Sequence, residues 1–391
     1  MTNLIVGFGT TGKSIQRYLE RNNETYSVYD DYQEIPVNLQ FNEKNLENIN
    51  RVIISPGIKP DHWIIKESKK LNIKITTDIE IFSENNNCKL IGVTGTNGKT
   101  TFVYCLSEIL NKYGYKTTTA GNIGLSPLDL EDVDKNYDYI IIELSSFQLE
   151  YLKNLELDIS VITNIFEDHI DWHETFQNYY LAKIKILKFV KNKSNIFIGE
   201  FDERVVIDKK LKVNRINNKK YNLENFYDEF VNLMVSLCER FNINEKQVLS
   251  YLNNSKNIDH RFEKFFVKNS TIFINDSKST NFQSVIKATT KVTNSLLILH
   301  GLTKGIDPKT LHLSKNVKEV LVPNYMQDYL KLQNVKCTVY REFGDLKKLI
   351  IDKYIDYEYV LFSCGGSSFN EFKNYKERGE QFKQLVMESL K

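Results

Sequence analysis

The sequence predicts an α/β fold of three consecutive domains, and three observations carry that prediction. Short apolar runs alternate with amphipathic stretches throughout, the pattern of a mostly parallel sheet covered by helices. Two glycine-rich turns each lie between a strand-like run and a helix start. The alternation lapses near residues 86 and 257 and then resumes, which divides the chain into 1–86, 87–257 and 258–391. A length of 391 residues is itself more than one ordinary core supports.

In order along the chain, Leu4–Val6 reads as a first strand, followed by a turn and a helix from about Lys13 to Glu20. Tyr26–Tyr29 and Arg51–Ile54 are further strands, and Asn85-Asn86-Asn87 reads as a linker. Lys89–Val93 opens the second domain and runs through a turn into a helix whose Phe102, Cys105, Leu106, Ile109 and Leu110 share one face. Gly114 stands where a helix C-cap is expected. Tyr139–Ile142 and Ile159–Thr163 are buried strands, 191–220 is a polar zone, and 225–241 is a helix. In the third domain Thr271–Ile274, Leu296–Leu299, Glu319–Val322 and Tyr359–Phe362 are strand-like.

The turn Gly95-Thr96-Asn97-Gly98-Lys99-Thr100-Thr101 follows a buried strand and opens a helix. Backbone N–H groups converge in such a turn, and the helix end adds partial positive charge. Lys99 supplies a mobile cation for the outer phosphates, and the Thr100 hydroxyl suits Mg²⁺. Strict Walker spacing would place a glycine where Val93 stands, so the match is to a shorter variant. A P-loop-type ATPase domain is the expectation for 87–257, with ATP as ligand.

Gly7-Phe8-Gly9-Thr10-Thr11-Gly12 is a GxGxxG turn between a strand and a helix, with Asp30 at the end of the next strand. It predicts a Rossmann-like first domain that cradles a pyrophosphate. NAD and a UDP-type nucleotide both satisfy that mechanism.

Glu143 closes the buried run Ile140-Ile141-Ile142, at the strand end where open α/β sheets bind ligands, and suits Mg²⁺. Glu167-Asp168-His169 follows the next buried strand and presents potential metal ligands. In a helix predicted over Tyr179–Val190, Lys183 shares a face with Ile186, Leu187 and Val190. Desolvation there favours the neutral amine, which can add CO2 to form an anionic carbamate.

A formal net charge of +2 and the lack of a dense basic run give no global field for nucleic acid. Five scattered cysteines without a CxxC pair point to reduced thiols and the cytosol. The opening Met-Thr-Asn-Leu-Ile-Val-Gly does not read as a signal peptide, and no apolar run reaches membrane length.

Taken together, TGTNGKT, Glu143-Leu144-Ser145-Ser146-Phe147-Gln148-Leu149-Glu150, Thr163-Asn164-Ile165 with Glu167-Asp168-His169, His260-Arg261-Phe262-Glu263 and Asn275-Asp276-Ser277-Lys278-Ser279-Thr280-Asn281 stand in the order seen in Mur ligases. The chain resembles that family over nearly its whole length, and the run beginning at Glu143 resembles its D-glutamate-adding branch. The resemblance implies ATP-dependent amide ligation between a UDP-linked muramoyl-alanine and D-glutamate by a cytoplasmic monomer. Nucleic acid and membrane are not implied as partners, and the third domain is expected to be Rossmann-like. It also implies that Gly95, Thr96, Asn97, Gly98, Lys99, Thr100 and Thr101 bind ATP phosphates, with Asn222, Asn225, His260, Arg261 and Asp276 near the nucleoside. Thr100, Glu143, His169 and a carbamoylated Lys183 would hold two Mg²⁺ ions. Gly9, Thr10, Thr11, Gly12, Asp30, Asp31 and Asn122 would face the UDP substrate, and Lys278, Thr280, Lys304, Ser368 and Phe369 the D-glutamate.

Four departures from the family pattern stand out. Tyr221 replaces a histidine expected to pack on adenine, and the zone at 190–220 is short. His300-Gly301 replaces a glycine pair, and Ser363-Cys364-Gly365-Gly366 replaces a run containing proline. An NAD-dependent oxidoreductase would leave TGTNGKT, Glu143 and His169 idle. A folylpolyglutamate-type ligase would not need the first turn, a P-loop switch would need strict Walker spacing, and a non-catalytic scaffold would not need Lys99, Glu143, His169 and Lys183 together.

Overall fold

A computed structural model of the chain describes residues 2–208, 213–216, 218–221, 223, 226–255, 259–329 and 335–390. The described residues form three sheets distributed over two compact units, one of residues 1–165 with 177–254 and the other of 166–176 with 255–391.

The first unit holds two parallel sheets. Strands β1 (Thr2–Val6), β2 (Tyr26–Tyr29), β3 (Ile49–Ile54) and β4 (Lys74–Thr76) pair in the order β2-β1-β3-β4. Strands β5 (Lys89–Thr94), β6 (Thr117–Gly121), β7 (Tyr139–Glu143), β8 (Ile159–Ile165), β9 (Ile196–Phe201) and β10 (Asn214–Arg215) pair in the order β10-β9-β8-β5-β7-β6. Ile140, Ile141 and Ile142 are all fully buried. A strand covered on both faces therefore reads as a continuous apolar run rather than an alternating one.

The two sheets of this unit are joined by polar contacts. Arg17 pairs with Asp129 at 2.7 Å, and the Tyr151 hydroxyl donates to the Ile58 carbonyl. The Glu80 carboxylate accepts the backbone N–H groups of Lys153 and Asn154.

The second unit carries one mixed sheet. Strands β11 (Glu263–Lys268), β12 (Thr271–Asp276), β13 (Ser295–His300), β14 (Val317–Pro323), β15 (Lys336–Tyr340) and β16 (Tyr359–Gly365) pair in the order β11-β12-β16-β13-β14-β15. Among the described strands of this sheet only the β11–β12 pairing is antiparallel. Apolar clusters fill both faces, one around Val285, Leu297 and Leu361 and the other around Phe273, Phe362 and Phe382.

Two sequence expectations are corrected. The polar zone at 191–220 contains β9, whose Ile196, Phe197 and Ile198 are buried. The helix carrying Lys183 runs from Phe176 to Ile184 and tightens into a 3-10 turn over Lys185–Lys188, so it stops short of Val190. No described helix is long and apolar enough to cross a membrane.

Candidate active site

The turn at 95–98 is built by the strands on either side of β5. β7 and β8 flank β5, so their carboxyl ends converge where ligands bind in an open α/β sheet. Gly95 has φ +154°, and a Cβ there would come within 1.9 Å of the Thr163 hydroxyl, so no other residue fits. The Thr96 N–H donates to the Asn164 carbonyl and the Asn97 N–H to the Asn164 side chain. The Asn97 carbonyl in turn accepts from the Thr163 hydroxyl at 2.8 Å and the Asn164 amide at 2.9 Å. Gly98, at φ +77°, then opens the helix Lys99–Lys112.

Two lysines meet at this turn. Lys99 Nζ donates to the Gly95 carbonyl at 2.8 Å and to the Thr96 carbonyl at 3.1 Å. Lys183 is only 1% exposed, and its Nζ donates to the same Gly95 carbonyl at 2.7 Å. The Lys183 ammonium also lies 4.8 Å from the centre of the Tyr179 ring, whose hydroxyl bonds to Thr96 Oγ1 at 2.9 Å. Tyr179 was not singled out from the sequence. Its place four residues before Lys183 on one helix face was the available signal.

Glu143 ends β7 and is buried. Asn122 donates from Nδ2 to Glu143 Oε1 at 2.8 Å, while Oε2 is buried with no hydrogen-bond partner. A buried carboxylate oxygen with no donor is costly. Its place beside a phosphate-type turn fits a hard cation that takes oxygen ligands. Thr100 is the second residue of the helix Lys99–Lys112 and Thr101 follows it, buried.

In the first sheet, Gly7 has φ +88°, and a Cβ on Gly12 would reach within 2.1 Å of the Gly7 carbonyl, so helix and turn pack in close contact. Gly9 caps the helix Thr10–Arg21, which places Thr10 and Thr11 in its first turn. Asp30 accepts N–H bonds from Phe8, Tyr32 and Gln33. Burial would raise its pKa, but those three bonds outweigh it and leave the carboxyl below its ordinary range. Asp31 pairs with His62 at 3.2 Å, a histidine the sequence reading did not single out.

In the second unit the run after β8 does not form a cluster of metal ligands. Among the described residues no three His, Cys, Asp or Glu side chains converge to hold a metal ion. Asp168 is buried and instead accepts from Lys304 at 3.0 Å and from the Asn281 amide at 3.0 Å. Burial alone would raise this carboxyl, yet Lys304, His169 and Asn281 together hold it far below the ordinary range. Lys304 also lies 3.4 Å from the Thr280 hydroxyl. His169 adopts φ +54° at the start of a short helix.

Asp276 is buried, with Oδ1 accepting the Phe262 N–H and Oδ2 the hydroxyls of Ser279 and Ser363. Burial outweighs these bonds and raises the carboxyl to about 6. His260 is buried against Asn275 at 2.9 Å, and desolvation lowers its pKa. Arg261 lies beside it, half-buried. Lys278 rests 3.8 Å over the Tyr375 ring, a partner that sequence reasoning passed over. Ser368 is buried and Phe369 is 76% exposed. Asn222 and Asn225 lie outside the described residues.

Comparison with known proteins adds an independent line. Residues 93–299 match the Mur ligase middle domain, and residues 1–77 the N-terminal domain of the MurD-like Mur ligases. A UDP-N-acetylmuramoylalanine–D-glutamate ligase of Francisella philomiragia is 31% identical, with 98% of this chain and 96% of the relative covered. One from Fusobacterium nucleatum is 32% identical, with 98% of each covered. Among solved structures, MurF ligase of Thermotoga maritima in complex with ADP superposes with a TM-score of 0.61 at 15% identity, covering 99% of this chain and 94% of that one. UDP-N-acetylmuramate–alanine ligase MurC of the same organism gives 0.56 at 18% identity, covering 99% and 100%. At those identities the structural likeness speaks for the fold.

Proposed function

Because this chain belongs to the Mur ligase family, we propose that it joins UDP-N-acetylmuramoyl-L-alanine to D-glutamate at the expense of ATP, in peptidoglycan precursor synthesis. The observation that carries the reading is the surround of the Gly95 turn, where two lysine ammonium groups and a carboxylate oxygen without a donor lie beside a helix start. Full-length relatives named for this ligation support the choice of substrates.

In this reading, residues 87–257 bind ATP through Gly95 to Thr101, with His260, Arg261 and Asp276 serving the nucleoside. Residues 1–86 hold the UDP group through Gly9, Thr10, Thr11, Gly12, Asp30 and Asp31, and Asn122 contacts the same substrate. Residues 258–391 hold D-glutamate through Lys278, Thr280, Lys304, Ser368 and Phe369. The enzyme acts in the cytoplasm as a monomer.

Thr100 and Glu143 would hold Mg²⁺, and Lys183 as a carbamate would offer a second anionic group, with His169 as a further ligand. When bound, such cations neutralise charge on the phosphate oxygens. The carboxylate of the muramoyl substrate attacks the γ-phosphorus, the bond to the β-phosphate oxygen breaks, and ADP leaves. Lys99 steadies the charge on the transferring group. The amine of D-glutamate then attacks the acyl carbon, a proton leaves the nitrogen, and phosphate departs with the former carboxylate oxygen. Lys278 and Lys304 are suited to orient the glutamate carboxylates through charge-assisted hydrogen bonds.

A coupled assay of ADP release tests this directly. Release should require both the UDP substrate and D-glutamate. Release without the nucleotide sugar, or equal use of L-glutamate, would overturn it.

A further inference from the structure

Arg378 is the largest fully buried side chain among the described residues, with 0% exposure. Its hydrogen bonds all go to neutral acceptors at the ends of three strands that are neighbours in the sheet. Nε donates to the Ser277 hydroxyl at 3.0 Å and Nη2 to the Ser277 carbonyl at 2.8 Å, just beyond β12. Nη1 donates to the Gly366 carbonyl at 3.1 Å, just beyond β16, and to the His300 carbonyl at 3.4 Å, at the end of β13. Among the described residues no carboxylate forms an ion pair with it.

A buried cation with no carboxylate in direct contact is costly, and Glu371 acts on it only through space, so the fold must gain by having it there. A guanidinium offers a rigid planar fork of donors, and three separate segments are held by one such fork. The local backbone is shaped to admit it. A Cβ on Gly301, at φ +97°, would lie 2.6 Å from Arg378 Nη1 and 2.1 Å from the Ser367 carbonyl, and one on Gly366 would strike Gly301. Leu302 and Ser367 exchange backbone hydrogen bonds at 3.0 and 2.8 Å, so the loops after β13 and β16 form one piece. The Ser277 hydroxyl donates in turn to the Tyr375 carbonyl, and the Tyr375 ring lies under Lys278.

We propose that Arg378 is a positioning residue for the incoming amino acid. It locks in register the three segments that carry Lys278, Lys304 and Ser368, and it touches no substrate itself. The inference rests on the assignment of those residues to D-glutamate, and it adds a cause for their alignment. The Ser277 hydroxyl is the link between this clamp and the Lys278–Tyr375 pair.

The test is steady-state kinetics on the full chain with each substrate varied in turn. Arg378→Lys and the milder Ser277→Ala are the variants, and circular dichroism and melting curves identify folded samples. Loss of a hydrogen bond to a charged group should raise KM for D-glutamate about tenfold or more in Ser277→Ala. KM for ATP and for the UDP substrate should stay within about twofold, and kcat should change less than KM for D-glutamate. Arg378→Lys, which keeps the charge and loses the fork, should show the same selective rise. If folded variants change all three KM values alike, or only kcat, the clamp is disproved. If the unaltered enzyme forms no ADP in response to D-glutamate, the functional assignment fails instead, so the two failures are distinguishable.

Discussion

Lys99 and Lys183 donate to one and the same acceptor, the carbonyl oxygen of Gly95, at 2.8 and 2.7 Å. Protonated together, the two amines would repel one another, the more so because burial of Lys183 weakens the screening. An anion arriving at the turn relieves that repulsion, and so does conversion of Lys183 to a carbamate.

Replacement of Lys183 tests the carbamate. Lys183→Ala should lower kcat by about 10²-fold or more, the scale of losing one preorganised electrostatic group. A short-chain carboxylate added to the assay should restore part of the activity, since it supplies the missing anion in the vacated space. Undiminished turnover in the variant would rule out the role.

Glu143→Gln separates a metal ligand from a structural carboxylate. The change removes a buried charge whose Oε2 has no donor, so the variant should melt no lower than the parent in the absence of metal. Magnesium with ADP should raise the melting temperature of the parent and do so far less for the variant. A variant stabilised equally by magnesium and ADP would remove Glu143 from the cation site.

How much of this was legible in the chain depended on the kind of signal. The strands β1, β5, β7, β8, β13 and β16 are apolar runs buried on both faces, and such runs announce themselves. β11 was missed because Lys264 and Lys268 interrupt it, and β9 because it lies within a lysine- and asparagine-rich stretch. The spacing of Ile186 and Leu187 pointed Lys183 toward an apolar face, and it is buried, although those two residues lie in the 3-10 turn beyond the helix. The Lys304–Asp168 pair was not, because the partners are separated by 136 positions and only the fold brings them together. Nor was Arg378, since carbonyl acceptors leave no trace in side-chain identity.

Asp276 should impose a measurable pH dependence on stability. Its carboxyl titrates at about 6 when folded, against about 3.9 in an unfolded chain. Below pH 4 both states hold the proton and nothing is lost. As pH rises toward 6 the folded state retains its proton longer, so stability falls, by about 3 kcal/mol once both states are ionised. Asp276→Asn keeps an acceptor for the Phe262 N–H and should abolish that slope. Urea midpoints of parent and variant across pH 4 to 8 measure it, and a pH-independent difference between the two would contradict the assignment.

Asp168 runs in the opposite direction. Its folded carboxyl lies well below the unfolded value, so its contribution is complete above about pH 4 and fades as pH falls below that. Asp168→Asn leaves Lys304 without its counter-charge and should cost about 3–5 kcal/mol at neutral pH. Adding Lys304→Met should recover part of that loss, because the stranded ammonium is gone. Strictly additive losses in the double variant would show that the pair does not act as a unit.

The central claim is that the substrate's own carboxylate is phosphorylated before nitrogen captures it. The most direct measurement supplies the UDP substrate with ¹⁸O in its terminal carboxylate and examines the released phosphate by mass spectrometry. Transfer of one labelled oxygen to phosphate per amide formed is the predicted result. Unlabelled phosphate, with ADP and amide formed in equal amounts, would contradict the account.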